Sequence, residues 1–275
     1  MCANIDDNVC RLMSRLDALK VADNTIVLFL TDNGPQTDRY NAGMRGIKGS
    51  VHEGGSRVPL FVRWPANLKT PRRVGEIAAH IDVLPTLLDL CGVPLPKNVA
   101  LDGLSLRPLL EGNRMNWPDR ILFTHQVRQQ QLPERFPGAL RTQRYRLVNE
   151  GGNYQLYDMQ TDPGEARDIS AENREEVKRL SSIYEQWYKD VAKQGFVRLP
   201  IPLGYCEENP VLFPAHQAFL DGNVRFRGRY GFAHDWVTGW TGTEARVAWE
   251  LDVVRSGWYE VTLSYPVRKP TRGHG

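Results

Sequence analysis

The chain has 275 residues, 41% of them apolar, with 35 Lys and Arg, 32 Asp and Glu and a formal net charge of +3. That length suits about one or two domains with a sizeable buried core. The small charge, spread along the chain, gives no electrostatic footprint for nucleic acid, and no run of about 18 apolar residues marks a membrane-spanning helix.

The first predicted element is an amphipathic helix in "MCANIDDNVCRLMSRLDALK", where Ile5, Val9, Leu12, Met13, Leu16 and Leu19 recur at helical spacing. The stretch lacks the basic and apolar regions of a signal peptide. Starting directly on such a helix, the chain is expected to be a fragment. After a turn at Asp23-Asn24, "TIVLFLT" (25–31) is a continuous β-branched and aromatic run. It predicts a strand buried on both faces, as in a parallel sheet. Residues 34–57 hold six glycines and no periodicity, so a long loop is expected there, and such loops are often functional. "VPLFVRW" (58–64) is the next strand, with Pro59 where a missing N–H matters least.

A helix follows in "HIDVLPTLLDLCGVPLP" (80–96), with His80 at its start, Asp82 as N-cap, an apolar face of Leu84, Leu87, Leu88 and Cys91, and Gly92 and Pro94 as the stop. "LDGLSLRPLLEG" (101–112) leads into a short helix, and "RILFTHQ" (120–126) is a strand ending near His125. "GALRTQRYRLVNEG" (138–151) and "YQLYDM" (154–159) predict an antiparallel meander. Val177, Leu180, Ile183, Tyr184, Trp187 and Val191 predict one long amphipathic helix over 171–193. "VRLPIPLGY" (197–205) is a Pro-rich linker. Alternation over 247–265, around Ser256-Gly257, predicts a hairpin of a β-sandwich-like module. Trp236, Trp240, Trp249, Trp258 and Tyr259 read either as the core of that module or as a sugar-binding surface. Cys2, Cys10, Cys91 and Cys206 form no metal or disulfide pattern and are expected to be free core thiols.

Chemistry concentrates at the end of the first strand. Asp32 offers a charged oxygen and Asn33 a neutral carbonyl oxygen, a pair that suits a hard cation, Ca²⁺ or Mg²⁺. Asp-Asn-Gly alone also reads as a turn. Lys48 stands between Gly46 and Gly49, where backbone can approach a ligand closely, and could hold a sulfate or phosphate as a point charge; alone it reads equally as a solvated surface lysine. Glu53 and Arg57 are expected to brace the loop as an ion pair. His52 is a candidate for proton transfer or a loop histidine packed on the wall, and His125 a substrate contact at the rim or a structural histidine.

"NTIVLFLTDNG", "GMRGIKGSVHEGGSRVPLFVRWP", "HIDVLPTLLDLCGV", "LDGLSLRPLL" and "YQLYDMQTDPGEARDIS", in this order over roughly residues 3–190, resemble the C-terminal portion of the sulfatase family, of the alkaline-phosphatase-like superfamily. The resemblance implies an α/β fold. Part of a mostly parallel sheet with flanking helices would cover 1–115, a small α+β subdomain of antiparallel sheet plus long helix 116–196, and a partial β-sandwich-like module 197–275. It implies a sulfuric ester hydrolase that releases inorganic sulfate from a sulfated carbohydrate or aryl sulfate in a periplasmic or secreted setting. Asp32 and Asn33 match the second pair of ligands to a divalent cation, usually Ca²⁺, and Lys48 matches the lysine that contacts the substrate sulfate. The family nucleophile is a formylglycine made from Cys or Ser in a C/S-x-P-x-R stretch, and Cys2, Cys10, Cys91 and Cys206 all stand in other contexts. Asp6 and Asp7 lie on the first helix and do not replace the first pair of aspartate ligands. The chain alone is therefore expected to be inactive. A phosphodiesterase or phosphonate hydrolase of the same superfamily, or a degenerate binding protein, are the alternatives.

Overall fold

The computed structural model describes residues 2–68, 71–95, 97–115, 117–126, 134–193, 195, 199–228 and 235–265. The chain divides into two units, residues 1–127 with 133–194, and residues 128–132 with 195–275.

The first unit opens on α1 (Cys2–Ala18), which buries none of its residues. β1 (Val27–Leu30) pairs with β2 (Leu60–Arg63), Leu30 opposite Leu60. The pair is antiparallel and β1 is only half-buried, which corrects the expectation of a parallel strand sealed on both faces. An apolar run signals burial but not the direction of its neighbour. Here the connecting segment folds back on itself, with the Gly34 N–H donating to Gly55 O at 3.0 Å, so the strands meet as a long hairpin; a parallel pair needs a crossover. One helical turn, α2 (Glu53–Ser56), interrupts this loop.

α3 (Val83–Leu90) and α4 (Arg107–Glu111) are joined by a polar network rooted in Asp82. Asp82 makes no side-chain cap to α3, contrary to expectation. Its fully buried carboxylate accepts from the Ala79 N–H at 2.7 Å and the Leu104 N–H at 2.8 Å, and meets Arg120 bidentately at 2.8 and 2.9 Å. The Thr86 hydroxyl donates to Asp82 O at 2.6 Å and accepts from the Leu106 N–H at 2.8 Å.

β3 (Leu122–His125), β4 (Gly138–Arg141), β5 (Tyr145–Asn149) and β6 (Gln155–Asp158) form an antiparallel sheet in sequential order. The register sets Leu147 opposite both Leu140 and Leu156. These three leucines pack with Leu180 and Tyr184 of α5 (Arg174–Ala192). The other buried cluster joins Ala139, Val148, Tyr157 and Met159 to Val51 of the Gly-rich loop. One set of sheet residues thus meets a helix and the other meets the loop that carries Lys48. That arrangement ties the 1–115 and 116–196 segments into a single unit.

The second unit contains β7 (Ile201–Leu203), β8 (Phe219–Asp221), β9 (Arg225–Phe226), β10 (Val237–Thr238), β11 (Arg246–Ala248) and β12 (Leu251–Val253). β7 pairs parallel with β12, and β8 with β11 and β9 with β10 antiparallel. The expected 247–265 hairpin is not formed: residues 258–265 carry no strand, and Trp258 is fully exposed. Alternation equips a segment for half-burial without choosing its partner, and β11 and β12 pair with earlier strands instead. Trp249 is anchored by its indole N–H, which donates to Pro214 O at 3.0 Å. All four cysteines are free and exposed, so the expectation of core thiols is also corrected. Among the described residues no helix is long and apolar enough to cross a membrane.

Candidate active site

β1 delivers Thr31, Asp32 and Asn33 to the start of the loop. His80, opening a 3-10 turn before α3, donates its Nε2–H to Thr31 O at 2.8 Å and holds the chain just before the acidic pair. Asn33 Nδ2 donates to Asp32 Oδ2. The two side chains are therefore pinned together while a carboxylate and an amide oxygen remain as acceptors. Hard oxygen donors of this kind suit Ca²⁺ or Mg²⁺, but they are two of the about six to eight that Ca²⁺ takes. No group of three His, Cys, Asp or Glu poised to hold a metal occurs among the described residues. By itself the corner supplies only a minority of the oxygens such a cation needs.

Gly34 is required by close approach: a Cβ there would lie 1.8 Å from Gly54 O. The same crowding lets the loop return to the strand end. The Lys48 N–H donates to Pro35 O at 2.9 Å, which sets the Lys48 backbone two residues from Asn33. Gly46 and Gly49, both at φ +86°, permit the turns on either side of it. The Lys48 side chain is exposed. The Lys48 backbone thus returns to the start of the loop that Asp32 and Asn33 open.

Behind the corner lies a buried charged network. Glu53 pairs with Arg57 at 3.4 Å, but Arg57 is mostly solvated; the stronger partner is Arg146 of β5, at 2.8 Å. Arg146 also donates to Val51 O, and to Ser56 Oγ at 2.8 Å. Burial pushes the Arg146 guanidinium below its ordinary value, and Glu53 and Glu165 act against that shift. Glu165 receives the Glu53 N–H at 2.9 Å, and its other oxygen lies 3.2 Å from both His52 Nδ1 and Arg146 Nε. His52 is 2% exposed, edge-on to Tyr157, with Nε2 3.6 Å from Glu150. The ring is packed into the wall through Nδ1, while Nε2 has no hydrogen-bond partner among the described residues.

His125 is held elsewhere in the same unit. Its Nε2 donates to Glu134 O at 2.8 Å, and its ring lies edge-on to Trp187 and Tyr188 of α5. None of these contacts involves Asp32, Asn33 or Lys48. A cavity of about 480 Å³ beside Arg120, lined by Glu76, Arg114, Trp117 and Gln143, is also separate in its lining. Its polar groups are already engaged: Arg114 donates to Arg73 O and pairs with Glu76 at 3.4 Å, and Gln143 donates to Gly75 O.

Arg146 and Glu165 are the residues that sequence reasoning missed. A charged residue inside the apolar run "YRLVN" was an available signal for Arg146. Glu165 sits in the turn "TDPGEARD" and offered none.

Comparison with known proteins shows the family of the chain. The family profile described as N-sulphoglucosamine sulphohydrolase, C-terminal, matches residues 47–192, more than half of the chain. The chain belongs to the sulfatase family. Human arylsulfatase A is 34% identical over 191 residues, covering 58% of this chain and 36% of the relative. The N-acetylglucosamine-6-O-sulfatase of Bacteroides thetaiotaomicron is 28% identical over 195 residues, covering 67% and 34%. The solved phosphonate monoester hydrolase of Agrobacterium radiobacter superposes with a TM-score of 0.53 at 25% identity, covering 70% of this chain and 40% of that one. This sulfatase chain spans 21% to 40% of the length of these and similar curated relatives.

Proposed function

We propose that this chain forms one wall of a sulfatase active site, which hydrolyses a sulfated carbohydrate or aryl sulfate to an alcohol and inorganic sulfate. The observation that supports the reading is the 2.9 Å bond from the Lys48 N–H to Pro35 O, which brings the Lys48 backbone back to the loop start that follows Asp32 and Asn33. Lys48 would bind the sulfate oxygens as a point charge and orient the ester. Asp32 and Asn33 would hold Ca²⁺ or Mg²⁺, and a bound cation of this type supplies charge neutralisation to the anionic oxygens. Neither group replaces the nucleophile. No cysteine of residues 1–275 stands in a C-x-P-x-R stretch, and the serine match "SYPVR" (264–268) belongs to the other unit of the chain, so bond cleavage is assigned to no residue here.

Two measurements test this. The Lys48 side-chain ammonium resonance should shift when sulfate is titrated in the presence of Ca²⁺, and the response should weaken in Asp32→Ala. A Lys48 that stays silent at saturating sulfate removes the clamp. The 275-residue chain should release no sulfate from an aryl sulfate above a Lys48→Ala control; turnover above that control would place a nucleophile within these residues. The likeness to the phosphonate monoester hydrolase favours a second reading, hydrolysis of a phosphonate ester. A phosphonate that shifts Lys48 at lower concentration than sulfate does would select it.

A further inference from the structure

We propose that Glu165 is the positioning residue of the anion subsite, acting through the Lys48 loop; this rests on the sulfate-clamp reading of Lys48. Glu165 comes from the turn after β6 and adopts φ +58°, a left-handed conformation that non-glycine residues rarely take. Its side chain is wholly buried, and its two oxygens face three nitrogens: His52 Nδ1, the Glu53 backbone nitrogen and Arg146 Nε. Two of the three belong to the loop, four and five residues after Lys48. The third belongs to the arginine that also grips Val51 O and Ser56 Oγ. One carboxylate therefore fixes the loop at the start of α2 and holds the cation that fixes it at two further points. From there the loop reaches the corner through the Gly54 N–H bond to Arg45 O, at 2.8 Å, and the Lys48 N–H bond to Pro35 O. Without Glu165, Arg146 and Glu53 would still pair, but the Glu53 N–H and His52 Nδ1 would be buried without an acceptor, a state that favours opening of the loop.

The test follows backbone amide exchange in the full 275-residue chain. In Glu165→Ala, protection of the Lys48 and Gly54 amides should fall at least ~10-fold, equivalent to about 1.4 kcal/mol of local opening, while Leu147 and Leu180 in the sheet–helix core keep theirs. Glu165→Gln, which keeps the shape and drops the charge, should give an intermediate loss. Unchanged loop protection in Glu165→Ala overturns the proposal, as does a uniform loss in both variants that includes Leu147 and Leu180. The sulfate-induced shift of the Lys48 ammonium should be weaker in Glu165→Ala than in the wild type, and an equal response also overturns it. A wild-type Lys48 that ignores sulfate removes the clamp reading alone; loop exchange then still decides whether Glu165 sets the loop.

Discussion

Arg146 stands inside a strand whose neighbours are apolar, 2% exposed, so its charge has to be met within the protein. Glu53 and Glu165 meet it from two separate segments. Arg146→Met would leave both carboxylates buried without their common cation and should lower stability by about 3–5 kcal/mol in urea unfolding. A loss under about 1 kcal/mol would mean that the remaining hydrogen bonds suffice. Carboxyls held low by hydrogen bonds, Asp89, Asp158, Asp168 and Glu176, should add acid sensitivity. Burial raises the Asp158 carboxyl, but the bond from Arg144 and the Gln160 N–H outweigh it and hold Asp158 below its ordinary 3.8. A depressed carboxyl contributes stability above its unfolded value and loses that contribution as pH falls through the folded one. Wild-type stability should therefore drop below about pH 4, and Asp158→Asn should flatten the drop in denaturant midpoints measured against pH. The strand end before Asp32 and the glycine turns around Lys48 were legible because they are local signals. The partners of Arg146 and Asp82 were not, since Glu165 and Arg120 meet them only through strand register and helix packing.

α1 and α5 show similar amphipathic periodicity, yet Leu12 is 53% exposed and Leu180 0%. Leu180→Ala should cost about 2–5 kcal/mol by opening a cavity between α5 and the sheet. Leu12→Ala should stay within about 0.5 kcal/mol of the wild type, because little apolar surface is removed from contact. Thermal or denaturant melts of the two variants make the comparison, and equal losses would show that α1 is buried in solution. Periodicity thus located both helices but could not report which face finds a partner. The same limit applies to strands. "TIVLFLT" was read correctly as extended, whereas its antiparallel pairing with β2 depends on how residues 31–59 fold back, and the glycines that allow it act through contacts such as Gly34 with Gly54. Alternation around Ser256-Gly257 likewise gave strand-compatible segments and the wrong pairing.

Across the molecule, buried apolar side chains concentrate in the first unit; Ala218 and Val224 are the buried hydrophobic residues described in the second. Amides of β8 and β11 should therefore exchange faster than those of β4 and β5, which share two buried clusters. Equal protection would imply a second core of comparable strength. The family and the α/β class were legible because several motifs that resemble the family stand in series along residues 3–190, more than any single one would carry. The distribution of stability was not, since it follows from which surfaces close on each other. The loop's dependence on Glu165 also has a consequence for biosynthesis. Glu165 follows Glu53 by 112 residues, so at about 5–20 residues per second the ribosome delivers it roughly 6–22 s later. Throughout that interval the nascent segment around Lys48 exists without its anchor, and a pause in translation before residue 165 prolongs the exposure. The geometry at the Asp32 corner is thus completed late, by a turn more than a hundred residues downstream.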